Sequence, residues 1–193
     1  MGVFRFKKFE VVNERSAMKV NTDGVLLGAA MTILPSDRTM LDVGTGTGTI
    51  ALMAAQRLSS VILNEVKNPR IDAIDIDEAS ASEASANFIN SPWNSILKAH
   101  HLPLEEFAAS AETVYDLIFS NPPYFEDSLT APDERKTTAR HTSDGLSYRD
   151  IFEFAKDRLS ENGRVSLVLP ADQEAALTRY ARMCGLYLFR ILR

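Results

Sequence analysis

Apolar residues in this chain fall into short runs that alternate with longer amphipathic stretches, with turn residues at the boundaries. Thr39–Val43 (TMLDV) is such a run, followed at once by Gly44-Thr45-Gly46-Thr47-Gly48, and the IALMAAQRL stretch beyond it has the period of a helix. The order is strand, glycine loop, helix. It repeats as a strand at Ile71–Ile76, an Ala-rich helix at Glu78–Asn90 with Asp77 as N-cap, and strands at Ile96–His100 and Tyr115–Phe119. Further on the pattern predicts a helix at Tyr148–Leu159 stopped by Asn162-Gly163, a strand at Val165–Leu169, and a helix at Ala171–Met183 ending at Gly185. Strands alternating with helices imply an α/β fold, a mostly parallel, doubly wound sheet covered on both faces. The stretch 59–70 (SSVILNEVKNPR) exceeds an ordinary connection and reads as a surface insertion. LYLFRILR, at 186–193, reads as the start of a strand that needs a partner, so C-terminal strands are expected to be missing.

Composition adds boundaries to this picture. At 193 residues, 45% hydrophobic and 24% charged, the chain suits one globular domain spanning 1–193. A net charge of −5 and a pI near 5.3 argue against gripping nucleic acid by overall charge, so any such contact is local. The one cysteine, Cys184, allows neither an internal disulfide nor a zinc cluster, which fits a cytoplasmic protein. No apolar run is long enough for a membrane span, and MGVFRFKKFEVVNERS lacks the features of a signal peptide, so neither export nor anchoring is expected.

Three motifs carry chemistry. Asp42-Val43-Gly44-Thr45-Gly46-Thr47-Gly48 sets an acid at a strand end before alternating glycines, which let backbone approach a small ligand; G-x-G-x-G favours a nucleoside without a pyrophosphate. Asp75 closes the next strand, where its carboxylate can accept ribose hydroxyls, while Asp77 is placed to cap the following helix. Asn121-Pro122-Pro123-Tyr124 follows the fourth strand. Its prolines stiffen the turn so that the Asn121 amide oxygen and the Pro122 carbonyl can accept protons from an exocyclic NH2 whose ring stacks on Tyr124.

DVGTGTG, Asp75 and NPPY together resemble the class I S-adenosylmethionine-dependent methyltransferases of amino nitrogens, a Rossmann-like fold. The segment AMKVNTDGVLLGA (17–29) is similar to the AMKVGTDGxLLGA segment of the bacterial tRNA1(Val) adenine N6-methyltransferases, which act on adenosine 37. NSPW (90–93) and ARHT (139–142) also resemble parts of that family, and the likeness runs from Phe6 to about Pro170. It implies S-adenosylmethionine as cofactor, tRNA as partner, no metal, and a 1–38 segment that covers substrate and cofactor above a 39–193 core. The cofactor residues it implies are Thr22, Asp23, Asp42, Gly44, Gly46, Gly48, Asp75, Ile76, Leu104 and Asn121, with Asn121, Pro122, Pro123 and Tyr124 catalytic. Two positions depart from the family: Asn21 replaces a glycine, which suits a left-handed backbone that Asn accepts, and Pro103 replaces an acid, leaving the adenine contact to the Leu104 N–H.

Adenine N6 is a poor nucleophile, so Asn121 and Pro122 are expected to pyramidalise it toward the sulfonium methyl, without a strong base. His100, His101 and His141 are therefore given no catalytic or metal role. RNA contacts are expected at local basic excess, namely Arg5, Lys7, Lys8 and Lys19 near the start and Arg135, Lys136, Arg140 and His141 after NPPY. Phe4, Phe6 and Phe9 read as buried anchors or as stacking platforms for unpaired bases. Competing readings are methylation of a glutamine amide in a translation factor, which NPPY would orient equally well, and a non-catalytic RNA-binding relic.

Overall fold

Apolar runs bounded by turn residues form the strands, and the amphipathic stretches between them lie back across the sheet. The computed structural model describes residues 2–61, 69–110, 112–123 and 145–193. The chain opens with an antiparallel hairpin, β1 (Val3–Arg5) and β2 (Glu10–Val12), and a helix, α1 (Thr22–Ala30). Then follow β3 (Thr39–Val43), α2 (Thr49–Val61), β4 (Arg70–Asp75), α3 (Glu78–Ile89), β5 (Leu97–His101), α4 (Leu104–Ser110), β6 (Tyr115–Ser120), α5 (Tyr148–Arg158) and β7 (Leu159–Leu167). A 3-10 turn at Ala171–Gln173 leads into α6 (Glu174–Met183).

The five long strands form one sheet in the order β5-β4-β3-β6-β7, every pair parallel. Because side chains alternate across a strand, Met40, Ile71, Ala73, Leu117 and Phe119 face Ala51, Leu52 and Ala55 of α2 and Ala84 and Phe88 of α3. Leu41, Val43, Ile74 and Ile118 face Phe107 of α4 and Ile151, Phe154 and Ala155 of α5 on the other side. Both faces are covered, as the doubly wound reading requires. Each fully buried Leu, Ile or Phe here contributes about 1.5–3 kcal/mol.

Several boundaries differ from the sequence reading. The helix expected at Tyr148–Leu159 ends at Arg158, and Leu159 is already extended (φ −90, ψ 137) and paired with Tyr115. The strand expected at Val165–Leu169 therefore begins at Leu159 and ends at Leu167, with an irregularity before Arg164. Gly163 is not a helix stop: a Cβ there would lie 2.9 Å from the Tyr115 carbonyl oxygen, so the irregular strand needs a residue without one. Residues 186–193 form no strand, and β7 is the last strand of the sheet among the described residues. The 59–70 stretch is in part the last turn of α2, and 62–68 lie outside the described residues. The β1–β2 hairpin, α1 and α4 were not anticipated.

Candidate active site

In an all-parallel sheet the carboxyl ends of the strands share one edge. Chain order runs β3, β4, β5 in one direction and then returns to the other side of β3 with β6, so the crevice between β3 and β6 is a topological switch point. There Gly44 (φ 71) and Gly46 (φ 56) adopt left-handed backbone, and the Gly44 and Thr45 N–H groups both donate to the Ile74 carbonyl at 2.9 and 3.0 Å. Gly48 (φ 80) has a different reason. A Cβ at Gly48 would sit 2.5 Å from Phe88 Cε1, so close approach to α3 requires a glycine here whether or not a cofactor meets its backbone.

Asp42 is fully buried beneath this loop. Its Oδ2 accepts from the Thr45 hydroxyl at 2.7 Å, while Oδ1 has no hydrogen-bond partner. Burial outweighs the Thr45 bond and the nearby Ala51 N–H and pushes its pKa up to about 7. Asp75 ends β4 half-buried; Oδ2 accepts from Gly46 N–H at 2.8 Å and Oδ1 from Asp77 N–H at 2.9 Å. Desolvation raises the Asp75 pKa despite these two donors. Each oxygen keeps a second lone pair for a further donor. Asp77 caps α3, accepting from Ser80 N–H at 2.9 Å, as its position predicts.

Beside Asp75 the backbone brings the next candidates together. Leu102 N–H donates to the Asp75 carbonyl at 3.1 Å, and His101 Nε2 lies 3.1 Å from the Ile76 carbonyl, so the end of β4 with Ile76 lies beside the end of β5, two residues before α4 starts at Leu104. Ile76 is 71% exposed, an apolar ledge at a polar edge. His100 instead pairs with Asp72 at 3.0 Å within the sheet. Across the switch point, the Ser120 hydroxyl donates to the Val43 carbonyl at 2.6 Å and ties the end of β6 to the end of β3. Asn121 and Pro122 are buried there and Pro123 is exposed. Tyr124 lies outside the described residues, as do Arg135, Lys136, Arg140 and His141.

The N-terminal segment forms the opposite wall. Met18, Val20 and Asn21 line one cleft with Gly44, Thr45, Gly46, Thr47, Ile50 and Asn121. Asn121 Nδ2 points at Asn21 Oδ1 (3.5 Å) and Met18 Sδ (3.7 Å), which sets its amide oxygen on the other side of the group. Asn21 is not left-handed as expected: it is extended (φ −135, ψ 167) and caps α1 by accepting from Gly24 N–H at 2.8 Å. Thr22 and Asp23 stand in the first turn of that helix, beside the cleft rather than in its lining. Phe9 is buried and Phe6 stacks on it at 4.5 Å, so these two are anchors, whereas Phe4 is 44% exposed.

Arg5, Lys7 and Lys8 are exposed on or beside the β1–β2 hairpin, Arg5 paired with Glu10 at 2.9 Å. Lys19 donates to the Glu14 carbonyl at 2.6 Å. Among the described residues no group of three His, Cys, Asp or Glu could hold a metal, and no helix is long and apolar enough to cross a membrane. A larger groove between α6 and the 186–193 tail shares no residue with the cleft.

These residues fit an adenosyl cofactor: glycines where a ligand meets backbone, a carboxylate with spare lone pairs for a diol, and an apolar ledge for a base. The sequence reading did not single out Met18 or Val20 as cleft wall, nor the buried Glu83 and Asn87 of α3. The signal for the last two was polar residues interrupting a small, apolar helix face.

Comparison with known proteins is consistent with this geometry. A family model described as methyltransferase small domain matches residues 16–182. The tRNA1(Val) (adenine(37)-N6)-methyltransferase of Flavobacterium psychrophilum is 41% identical over 191 residues, covering 99% of this chain and 78% of its own. That of Parabacteroides distasonis is 44% identical over 179 residues, covering 93% and 71%. Among solved structures, TrmN from Thermus thermophilus superposes with a TM-score of 0.57 at 25% identity over 81% of this chain and 40% of that one. An S-adenosylmethionine-dependent methyltransferase from Agrobacterium tumefaciens has a TM-score of 0.64 at 13% identity, over 96% and 58%, a likeness of fold.

Proposed function

Since the chain belongs to the tRNA1(Val) (adenine(37)-N6)-methyltransferase family of small methyltransferase domains, we propose that it methylates N6 of adenosine 37 in tRNA1(Val), using S-adenosylmethionine. The observation that carries this reading is the meeting of Asn121 with Gly44, Thr45 and Gly46 at the switch point, beside a wall made by Met18 and Asn21. Asp75 would hold the ribose hydroxyls, and Ile76 and the Leu104 N–H the adenine. Gly44 and Gly46 would admit the sulfonium end. The cofactor supplies an electrophilic methyl group.

Asn121 and Pro122 do the rest by orientation. Accepting the two N6 protons of the target adenine draws its lone pair out of the ring and aims it across the crevice, so that in-line displacement needs positioning more than basicity. The methylated nitrogen is acidic and loses its proton to water. In this reading residues 1–38 cover cofactor and substrate while 39–193 form the core. Arg5, Lys7, Lys8 and Lys19, with Arg135, Lys136, Arg140 and His141, would form a phosphate-binding rim, and Tyr124 would stack on the flipped base. Such a protein works in the cytoplasm.

The test is mass spectrometry of tRNA and of a glutamine-bearing translation factor, each treated with protein and isotopically labelled S-adenosylmethionine. Label on N6 of adenosine 37 is expected. Label on the glutamine amide, or none on either substrate, overturns the reading. Asn121→Ala should lower turnover about 100-fold with cofactor affinity nearly intact, because its amide acts on the target NH2.

A further inference from the structure

The three buried polar side chains Ser80, Glu83 and Asn87 of α3 lie at helical spacing on the face turned toward the N-terminal segment. Glu83 is 2% exposed, and its carboxylate accepts three consecutive backbone donors: Glu14 N–H and Arg15 N–H at 2.8 Å on Oε1, and Ser16 N–H at 3.0 Å on Oε2. Asn87, also 2% exposed, pairs with both backbone groups of Val12, Oδ1 accepting at 2.8 Å and Nδ2 donating at 3.0 Å. The same Nδ2 donates to the Thr47 carbonyl of the glycine loop at 2.9 Å. The Ser80 hydroxyl, 2.6 Å from Asp77 Oδ2, also lies 2.9 Å from that of Ser16, which donates to the Met18 carbonyl at 3.0 Å.

A carboxylate buried this deeply is costly unless its lone pairs are filled, and here they are filled by one stretch of backbone. Anchoring alone would not require contact with the loop. Asn87, however, joins the segment and the loop through one amide group. Downstream of the anchored residues, Met18 and Asn21 form the cleft wall and touch Asn121, and the Met18 carbonyl and Ser16 hydroxyl lie where a Cβ on Gly46 would meet them at 3.4 and 3.5 Å. The distance between the two walls of the cleft therefore passes through α3.

We infer that Glu83 and Asn87 are positioning residues: they hold the Val12–Asn21 segment in register with the glycine loop and thereby set cofactor affinity without touching the cofactor. The inference rests on reading the cleft as the S-adenosylmethionine site. Glu83→Gln places an NH2 against backbone donors, and Asn87→Asp removes the donor shared by Val12 and Thr47, both at nearly constant volume.

The experiment measures S-adenosylmethionine affinity by calorimetry, KM values for cofactor and tRNA, and backbone amide exchange across the whole chain. In both variants Kd and KM for the cofactor should rise tenfold or more, while KM for tRNA stays within about threefold. Exchange should quicken at Val12–Val20 and stay slow at Leu41 and Ile118. Ser80→Ala, which deletes the hydroxyl's contacts with Ser16 and with the Asp77 cap, should weaken cofactor binding about threefold with faster exchange at Ser16–Val20, and decides the matter if the other two do not fold. Folded variants with a freed segment and unchanged cofactor affinity overturn the inference and make these residues purely structural. Wild-type protein that binds no S-adenosylmethionine overturns the functional reading and the inference together. Wild-type protein that binds it as well as the variants do overturns the inference alone.

Discussion

Toward the amino-terminal ends of the strands Asp72 and Asp116 are surrounded by donors, whereas at the carboxyl ends Asp42 and Asp75 are buried with fewer donors than their burial demands. Asp116 accepts from Arg38 N–H (2.8 Å), Thr39 N–H (3.1 Å) and the Ser160 hydroxyl (2.9 Å). Asp72 has His100 at 3.0 Å, Arg70 at 2.7 Å and the Tyr115 hydroxyl at 3.2 Å. Burial acts to raise both pKa values, and the donors outweigh it and lower them. For Asp42 and Asp75 burial wins. One residue type in one sheet thus serves two ends: carboxylates with full donor sets hold the fold, and carboxylates left short of donors mark the edge where the cofactor site is proposed.

The largest effect that could break this contrast is the pH dependence of stability. Asp42 has a folded pKa near 7 against an ordinary 3.8, so its contribution is fully present below about pH 4 and is lost as pH rises toward 7. The slope is at most about 1.4 kcal/mol per pH unit, amounting to about 4 kcal/mol in all. Asp42→Asn should remove that slope, so that the difference between variant and wild type in denaturation midpoints grows in the variant's favour from pH 4 to pH 7. A constant difference across that range would mean Asp42 is ionised throughout. Asp72 and Asp116 run the other way, their contributions present above the ordinary carboxylate range and lost in acid.

Asp72→Ala should cost about 3 kcal/mol of stability, because it leaves His100 and Tyr115 without their buried acceptor. Cofactor affinity should stay within twofold. Asp75→Ala should do the reverse, weakening S-adenosylmethionine binding by about 1.5–3 kcal/mol with a far smaller change in unfolding. If both variants lost stability and affinity alike, the two ends of the sheet would not be functionally distinct. The smallest effect is Ser160→Ala, about 1 kcal/mol of stability through one donor to Asp116 and no change in binding, read by denaturant titration of the two proteins side by side.

Much of this could be read before the structure, and the exceptions share a physical cause. Thr39–Val43, the glycine loop, Asp77 as a cap and the run into Asn121-Pro122 are local features, decided by period, turn chemistry and capping within a few residues. Leu159–Gly163 was misassigned because its strand state depends on pairing with Tyr115, more than forty positions earlier in the chain. Glu83 was invisible for the same reason: the three N–H groups it holds lie 67 to 69 positions away. The left-handed backbone expected at Asn21 failed because a capping side chain works from an extended conformation, a local alternative that a comparison with glycine conceals. Gly48 is required by Phe88, which lies on another helix, a reason that the glycine spacing does not reveal.

The adjacency of β3 and β6 also bears on how the molecule assembles. The Ser120 hydroxyl and the Val43 carbonyl that close the crevice are 77 positions apart, whereas Gly46 and Asp75 are separated by only 29. Loop closure must precede any reward from contacts, so the shorter loop closes at lower entropic cost and parallel pairing across the longer one comes late. As the chain emerges from a ribosome, the glycine loop and Asp75 can meet well before Asn121 exists. On the proposed assignment of Asp75 and Asn121, cofactor recognition is thereby available to the nascent protein earlier than the groups that direct its chemistry, and a ligand bound at that stage would favour the remaining steps of folding by mass action.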